Sequence, residues 1–176
     1  MEYQLIFKED DVKALVPFSK NIAGEYMGAA MFEAQEIGLK AIVGCGLLAA
    51  LQQNEQATGA DVDARLTIAK NKCLPYLVYE TAVRLIPKVA YKVANIGSYQ
   101  ATDEKVQPLS KENNDAVIAD YQANADHFCF ALQNWLCENA ANYPEMGAEH
   151  CCQLAANLRS AATCGIWLGG MRGFEL

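Results

Sequence analysis

The chain has 176 residues, 52% hydrophobic and 20% charged, a composition that fits one domain with a sizeable core. Its net charge is −7 and its lysines and arginines are scattered, which argues against a module that grips nucleic acid through a basic patch. The chain has seven cysteines, an odd number, and its acidic N-terminus lacks a signal-peptide pattern. Both observations indicate free, mostly buried thiols in a reducing cytoplasm.

The first third of the chain predicts a short arm followed by helices. Residues 3–7 form an extended arm, and a short helix runs from Glu9 to about Leu15. Ser19 caps a long helix, which Gly44-Cys45-Gly46 breaks, and a further helix covers about 47–56. The long helix shows one apolar face, spaced alternately four and three residues, made of Ala23, Met27, Ala30, Ala34, Ile37 and Ala41.

The middle of the chain predicts two long helices separated by an excursion at 88–108. The first covers about 63–86, with a proline kink at Pro75 and its end at Pro87. Its inner side holds Leu66, Ala69, Cys73, Tyr76, Leu77 and Val83. In the excursion, a turn at 95–98 separates pieces that are either short strands or irregular arms.

The longest helix is predicted from about Lys111 to Asn139 and carries the strongest periodic signal, close to 3.5 residues. Its apolar positions are Val117, Ile118, Tyr121, Ala125, Phe128, Leu132, Trp135 and Leu136. Tyr143-Pro144-Glu145 interrupts the chain, and a weaker helix is expected at about 149–161. The first 162 residues are therefore interpreted as a single helical domain.

The last segment, 163–176, holds four glycines among large apolar residues and would be poorly soluble if it stayed free. We expect it to dock, either on its own domain or on a neighbouring copy. The candidate contact residues of this tail are Ile166, Trp167, Leu168, Met171 and Phe174. Those of the excursion are Val89, Tyr91, Val93, Ile96 and Tyr99.

No pattern of side chains indicates catalysis, a metal or a cofactor. His127 and Cys129 stand two residues apart on a helix, so they face different ways and do not form a nucleophile pair. No apolar run reaches the roughly 18 residues of a membrane helix. Two sets that could suggest a metal lack the required ligand spacing; they are His150-Cys151-Cys152 with Cys164 or His127, and Glu33 with Glu36 and Glu80.

Several segments of the chain resemble the helical head–tail connector (adaptor, or ring) proteins of tailed phages, in particular those of crAss-like and other Bacteroides phages. The resemblance covers most of the chain, in order. It is carried by the segments 5–13, 37–44 and 74–79, by 95–98 leading through the long helix to Asn139-Ala-Ala-Asn-Tyr-Pro-Glu145, and by 164–169. These motifs are helix boundaries and packing residues rather than chemistry.

The resemblance implies a structural virion protein of the neck, assembled in the host cytoplasm and without catalytic activity. About twelve copies would form a ring below the portal, joining the DNA-filled capsid to the tail. Its partners would be itself, the portal protein and other tail or ring proteins, with no membrane. Genomic DNA would pass through the channel without specific binding, which the negative charge suits.

The sequence therefore predicts a mainly α protein: a bundle of about four to five helices with a short extended excursion and extended terminal arms. Two other functions stay open. An intracellular helical interaction or regulatory module would associate with no particle. A helical enzyme or ligand carrier would need a deep pocket with convergent polar groups, and the sequence names none.

Overall fold

A computed structural model describes residues 4–16, 24–94, 97–100, 111–147, 150 and 154. These residues form a mainly helical bundle with one small hairpin, as the sequence predicts. The elements are α1 (Glu9–Leu15), α2 (Gly24–Glu33), a π-helical segment (Ala34–Leu39), α3 (Lys40–Gln56), α4 (Ala64–Ala90), β1 (Tyr91–Ala94), β2 (Gly97–Gln100) and α5 (Lys111–Glu138), with short 3₁₀ turns at Gly59–Asp61, Ala140–Asn142 and Pro144–Met146.

Helix α4 is the centre of the bundle, since α1, α2, the π-helical segment, α3 and α5 all pack against it. Its inner side is buried where the sequence predicts, at Leu66, Ala69, Cys73, Tyr76 and Leu77. Val83 is only half-buried. Helix α5 packs along α4 and touches α3, so it forms one flank of the molecule.

The predicted end of α4 at Pro87 is wrong, because the helix continues through this proline to Ala90. A proline inside a helix removes one backbone hydrogen bond. Contacts made directly after Pro87 offset that loss: the ammonium of Lys88 lies 2.8 Å from Glu33 on α2, and Val89 packs against the core.

The excursion opens with an antiparallel hairpin in which Tyr91 pairs with Gln100 and Ala94 with Gly97. Of the two possibilities that the sequence leaves open there, short strands are therefore correct. The hairpin follows α4 directly and contacts its end.

The N-terminal arm packs into its own domain. Ile6 and Phe7 are buried. The fully buried Gln35 holds the arm by its backbone: the Ile6 N–H donates to Gln35 Oε1 (2.9 Å), and Gln35 Nε2 donates to the Gln4 carbonyl (2.9 Å). Residues 4–7 of the arm are therefore held against their own domain.

Helices α2 and α3 and the π-helical segment between them form one long rod, Gly24–Gln56. Among the described residues it is the one helix long and apolar enough to cross a membrane by length and composition alone. Within its most apolar 18-residue window, 44% is buried inside the fold. The sequence prediction that no apolar run is long enough for a membrane helix did not identify this rod, because the charged residues Glu36 and Lys40 interrupt its apolar run.

The rod contains two irregularities. The segment Ala34–Leu39 winds as a π-helix, which takes up one extra residue per turn. Gly44 then adopts φ 80° and ψ 165°, a non-helical conformation that kinks α3. The predicted break at Gly44 is therefore confirmed, although helical residues continue on both sides of it.

Candidate functional site

The candidate contact residues of the excursion fall on two different elements. Val89 is part of α4 and is partly buried against the core, and its role as a subunit contact stays a prediction. Tyr91 and Val93 lie in β1 and Tyr99 lies in β2. Ile96 lies outside the described residues, and so do the side chains of the hairpin.

The candidate contact residues of the tail all lie outside the described residues; they are Ile166, Trp167, Leu168, Met171 and Phe174. Two positions before them are described. His150 and Leu154 mark where the chain runs after the 3₁₀ turns, and Leu154 is buried in the core.

The loop after α5, Asn142-Tyr143-Pro144-Glu145, is locked onto the start of α4 by Arg65. The guanidinium pairs with both carboxylate oxygens of Glu145, at 2.5 and 3.1 Å, and also donates to the Asn142 carbonyl. The Tyr143 hydroxyl returns a hydrogen bond to the Arg65 carbonyl (3.1 Å), and the guanidinium lies 5.5 Å from the Tyr143 ring centroid. We call this group of contacts the Arg65 latch.

Asp63, the residue before α4, completes the latch and caps the start of the helix. Its Oδ1 accepts the Arg65 N–H (2.8 Å), which caps the helix, while its Oδ2 lies 3.1 Å from the Arg65 guanidinium. The hydrogen bond from the Arg65 backbone lowers the pKa of Asp63. The Arg65 side chain lowers the pKa of Glu145, and these hydrogen bonds in turn raise the pKa of Arg65. All three groups are therefore charged at neutral pH.

An open cleft of about 490 Å³ lies beside the latch. Its polar lining consists of Gln53, Asn54, Asp61, Asp63, Arg65 and Glu145. The guanidinium of Arg65 is already engaged by two carboxylates and a backbone carbonyl, so the cleft offers it to no anionic ligand. The arrangement holds the loop 142–145 against the start of α4.

The kink at Gly44 is covered by the chain that follows the latch. The carbonyl of Ile42, next to the kink, accepts a hydrogen bond from His150 Nε2 (2.8 Å). At Gly46, two residues after the kink, an added Cβ would collide with the carbonyl oxygen of Glu145. The predicted glycine break thus lets α3 lie against the loop that carries Glu145.

The acidic residues considered for a metal site are held by ion pairs instead. Glu33 pairs with Lys88 and Arg84, Glu80 with Arg84 (2.6 Å), and Glu36 with Lys40 (3.4 Å). Across the part of the chain that the structure describes, there is no group of three or more side chains that could hold a metal ion.

The histidine and cysteines of the other considered set are only partly described. His150 donates its hydrogen bond to the Ile42 carbonyl, so its described contact is with the backbone of α3. Cys151, Cys152 and Cys164 lie outside the described residues.

The described cysteines differ in burial. Cys73 is buried and Cys45 is exposed, so the expectation of mostly buried thiols holds for only part of the set. Burial raises the pKa of Cys73 to about 12 and that of Cys129 to about 11. Both thiols are therefore protonated at neutral pH, and the thiolate is the reactive form.

The outer face of α5 is acidic over its whole described length. Residues 112–157 contain seven of the 21 acidic residues and none of the 14 lysines and arginines. The rest of the chain thus holds 14 acids against 14 bases, and the net charge of −7 comes from this stretch. Within the described residues, no ion pair involves the exposed carboxylates of this helix, which are Asp115, Asp120, Asp126 and Glu138.

Sequence reasoning missed Arg65 and Gln35, which do the most to position the loop and the arm. Arg65 follows a helix-capping Asp63, and this short pattern was the available signal for a charged residue at the start of α4. Gln35 gives no such signal, because a glutamine within an apolar helix indicates neither burial nor a backbone partner.

Comparison with known proteins gives one family. The chain belongs to a family of unknown function, DUF6712, whose sequence profile matches residues 39–155, more than half of the chain. The matched region begins at the end of the π-helical segment and includes α4, the hairpin, α5 and the Arg65 latch. No curated protein and no solved structure matches the chain.

Proposed function

We propose that this member of the DUF6712 family is a structural virion protein that forms a ring below the portal of a tailed phage. The ring would join the DNA-filled capsid to the tail and surround the DNA exit channel. The proposal draws on the resemblance to connector proteins carried by the sequence and on one structural observation, the build of the flank formed by α5 and the hairpin.

The observation that carries the proposal is that α5 stands at the flank of the bundle with its outer face unused. Residues 115–124 contain no buried position, and the first buried side chain described in this helix is Ala125. The hairpin Tyr91–Gln100 follows α4 directly and contacts it. A helix of 28 residues is about 42 Å long. So long a flank gives a subunit a surface for contacts outside its own core.

The charge of this flank suits a passage for DNA. The carboxylates on the outer face of α5 have no ion-pair partners among the described residues, so their field acts on the surroundings. A ring of such subunits would repel the phosphates of a duplex rather than bind them. Several of the basic residues that could bind DNA form ion pairs within the bundle instead; they are Arg65, Lys70, Arg84 and Lys88.

A ring also needs two different patches on each subunit, since neighbouring copies associate head-to-tail. The flank with the hairpin supplies one patch. The tail at 163–176, with its apolar candidate contact residues, supplies a second. Assignment of the tail to subunit or portal contacts, and of Val89, Tyr91, Val93, Ile96 and Tyr99 to subunit contacts, belongs to this proposal.

The test is quantitative mass spectrometry of density-purified phage particles from the source of the chain. We expect about twelve copies per particle, the number of a single connector ring. Presence of the chain in infected-cell lysate together with its absence from purified particles would overturn the proposal. That result would favour an intracellular interaction or regulatory module. Copies in the hundreds would also contradict it, since they would indicate a shell or tube protein.

A further inference from the structure

The rod Gly24–Gln56 is apolar on its outer side as well as on its inner side. Its most apolar window has a mean hydropathy of 1.4, yet only 44% of that window is buried within the fold. A helix that is hydrophobic all round is normally buried on every side. The described domain covers one side of the rod, so its outer side indicates a further occupant.

The outer face consists of residues four apart along the second half of the rod: Ile37, Ala41, Cys45 and Ala49. Ile37 lies in the π-helical segment and Gly44 kinks the rod between Ala41 and Cys45, so these four positions are grouped by their shared exposure rather than by regular helical spacing. Ile37 is 60% exposed, the highest value among the large hydrophobic residues described as exposed. Between Ile37 and Leu51 the only charged residue is Lys40, which lies 3.4 Å from Glu36.

The π-helical segment is what turns these residues outward. Up to its first residue, the core side of the rod holds Met27, Ala30 and Ala34. The wider turn rotates the rest of the rod, so that from the last residue of the segment onward the buried residues are Leu39, Ile42 and Val43. A regular helix would have placed Ile37 and Ala41 in the core instead. The outer face is therefore a product of the backbone geometry.

The occupant with the best access to this face is the C-terminal segment of the chain. His150 donates to the carbonyl of Ile42 and its ring lies 3.4 Å from the position of a Cβ at Gly44, so the chain passes the rod at its kink. Leu154 is buried in the core. From Leu154 to Ile166 the chain can span roughly 40 Å when extended. The outer face from Ile37 to Ala49 is about 18 Å long.

We propose that residues 163–176 cover the outer face of the rod, packing Ile166, Trp167 and Leu168 against Ile37, Ala41 and Cys45. The two surfaces match in chemistry, because the segment is apolar and carries only Arg172 and Glu175 as charges. The small side chains of Ala41, Cys45 and Ala49 leave room for the tryptophan ring. The docking of residues 163–176 on this face does not depend on the proposed function. Whether the segment comes from the same copy or from a neighbouring copy rests on the proposed function.

A lipid bilayer fits this face less well than the segment does. The other side of the rod is bound to α4 through charged groups, among them Glu33 on the rod with Arg84 and Lys88 on α4. Insertion of the rod would carry these charges toward the hydrocarbon, which is costly. Flotation of the chain with neutral phosphatidylcholine vesicles, together with loss of the cross-link described below, would overturn the inference.

The first test uses Cys45 as a native reporter of the face. We expect a maleimide to modify Cys45 at least about tenfold faster in a chain truncated after residue 162 than in the full chain, because truncation uncovers the thiol. The half-buried Cys129 is the internal comparator and should keep its rate, and Cys45→Ser identifies the labelled peptide. Trp167→Ser in the full chain should raise the rate in the same direction. Equal Cys45 rates in all three folded chains would overturn the inference.

The second test needs no truncation. Ile37→p-benzoylphenylalanine is irradiated in the full chain, and the cross-linked peptide is identified by mass spectrometry, with Ala123→p-benzoylphenylalanine on the exposed side of α5 as the matched control. We expect a cross-link from position 37 to residues 163–176 and none from position 123. Cross-linking of position 37 to any other part of the chain overturns the inference.

Mixing ¹⁴N and ¹⁵N copies then separates the inference from the proposed function. A cross-link between isotopes supports both, because one copy supplies the segment to the next. A cross-link within one isotope supports the docking site and contradicts the role of the tail as a subunit contact. The particle measurement decides the ring independently of either result.

Discussion

The rod Gly24–Gln56 and the flank helix α5 are of similar length and meet the same central helix, yet they are built differently. The rod contains a π-helical segment and a glycine kink, and specific hydrogen bonds form at both: Gln35 of the π-helical segment binds the backbone of the N-terminal arm, and His150 binds the Ile42 carbonyl beside the kink. Helix α5 is continuous and packs through regularly spaced apolar side chains, with an acidic outer face. The packing face of a regular helix can be predicted from the spacing of its apolar residues, whereas that of an irregular helix cannot.

The largest effect should come from Leu39, the residue that the π-helical segment turns into the core. We expect Leu39→Ala to lower the free energy of unfolding by about 2–5 kcal/mol, because it removes a fully buried side chain. Ile37→Ala should cost under about 1 kcal/mol, since that side chain lies outside the core. Urea unfolding measures both. The reverse order would show that the rod is a regular helix with the face that its spacing suggests.

The glycines of the rod should differ in the same way. Gly46→Ala should cost about 1–3 kcal/mol, because the new Cβ meets the backbone of Glu145 and the loop must move. Gly24→Ala is the matched control: its Cβ would lie 3.6 Å from Glu9, an ordinary contact, so stability should be unchanged or slightly raised. Thermal unfolding compares the two variants. Equal melting temperatures would contradict the close approach of the loop to α3.

These pairs of residues also indicate how far the sequence can predict the fold. The inner side of α4 and the position of α5 follow from apolar spacing, because both are regular helices, and the break at Gly44 follows from the glycines. The face of the rod does not, since one extra residue in the π-helical segment shifts Ile37 and Ala41 outward. The continuation of α4 through Pro87 depends on tertiary contacts of Lys88 and Val89, which local sequence does not contain.

Neither do the contacts that position the candidate surfaces follow from sequence. The motif around Tyr143 and Glu145 is visible as a break in the helical pattern, but its partner Arg65 lies 80 residues earlier. Likewise, Gln35 recognises the backbone of the N-terminal arm, so no pairing of side-chain types signals the contact. Long-range hydrogen bonds to backbone groups leave little trace in one sequence.

A smaller effect is expected at the Arg65 latch, which joins the regular flank to the rest of the bundle. Arg65→Met should lower the free energy of unfolding by about 1–2 kcal/mol at neutral pH. The effect is this small because the Arg65–Glu145 pair is partly exposed and solvent screens its attraction. Lys13→Met, which removes an exposed pair with Glu9, should change it by less than about 0.5 kcal/mol. Amide exchange should rise at Tyr143 to Met146 only in the Arg65 variant. Unchanged exchange there would mean that packing of Tyr143 and Met146 alone holds the loop.

The smallest effect is the pH dependence of that latch. Its carboxylates, Glu145 and Asp63, have pKa values below the ordinary 4.5 and 3.8, so their contribution to stability is complete above pH 4.5 and is lost as the pH falls through the lowered values. The difference in unfolding free energy between the native chain and Arg65→Met should therefore be constant from pH 8 to about pH 5 and shrink below it. Urea unfolding at stepped pH measures this difference, with Lys13→Met as the control. A gap that persists undiminished at about pH 3 would mean that Arg65 stabilises the loop through the Asn142 carbonyl and the Tyr143 ring rather than through charge.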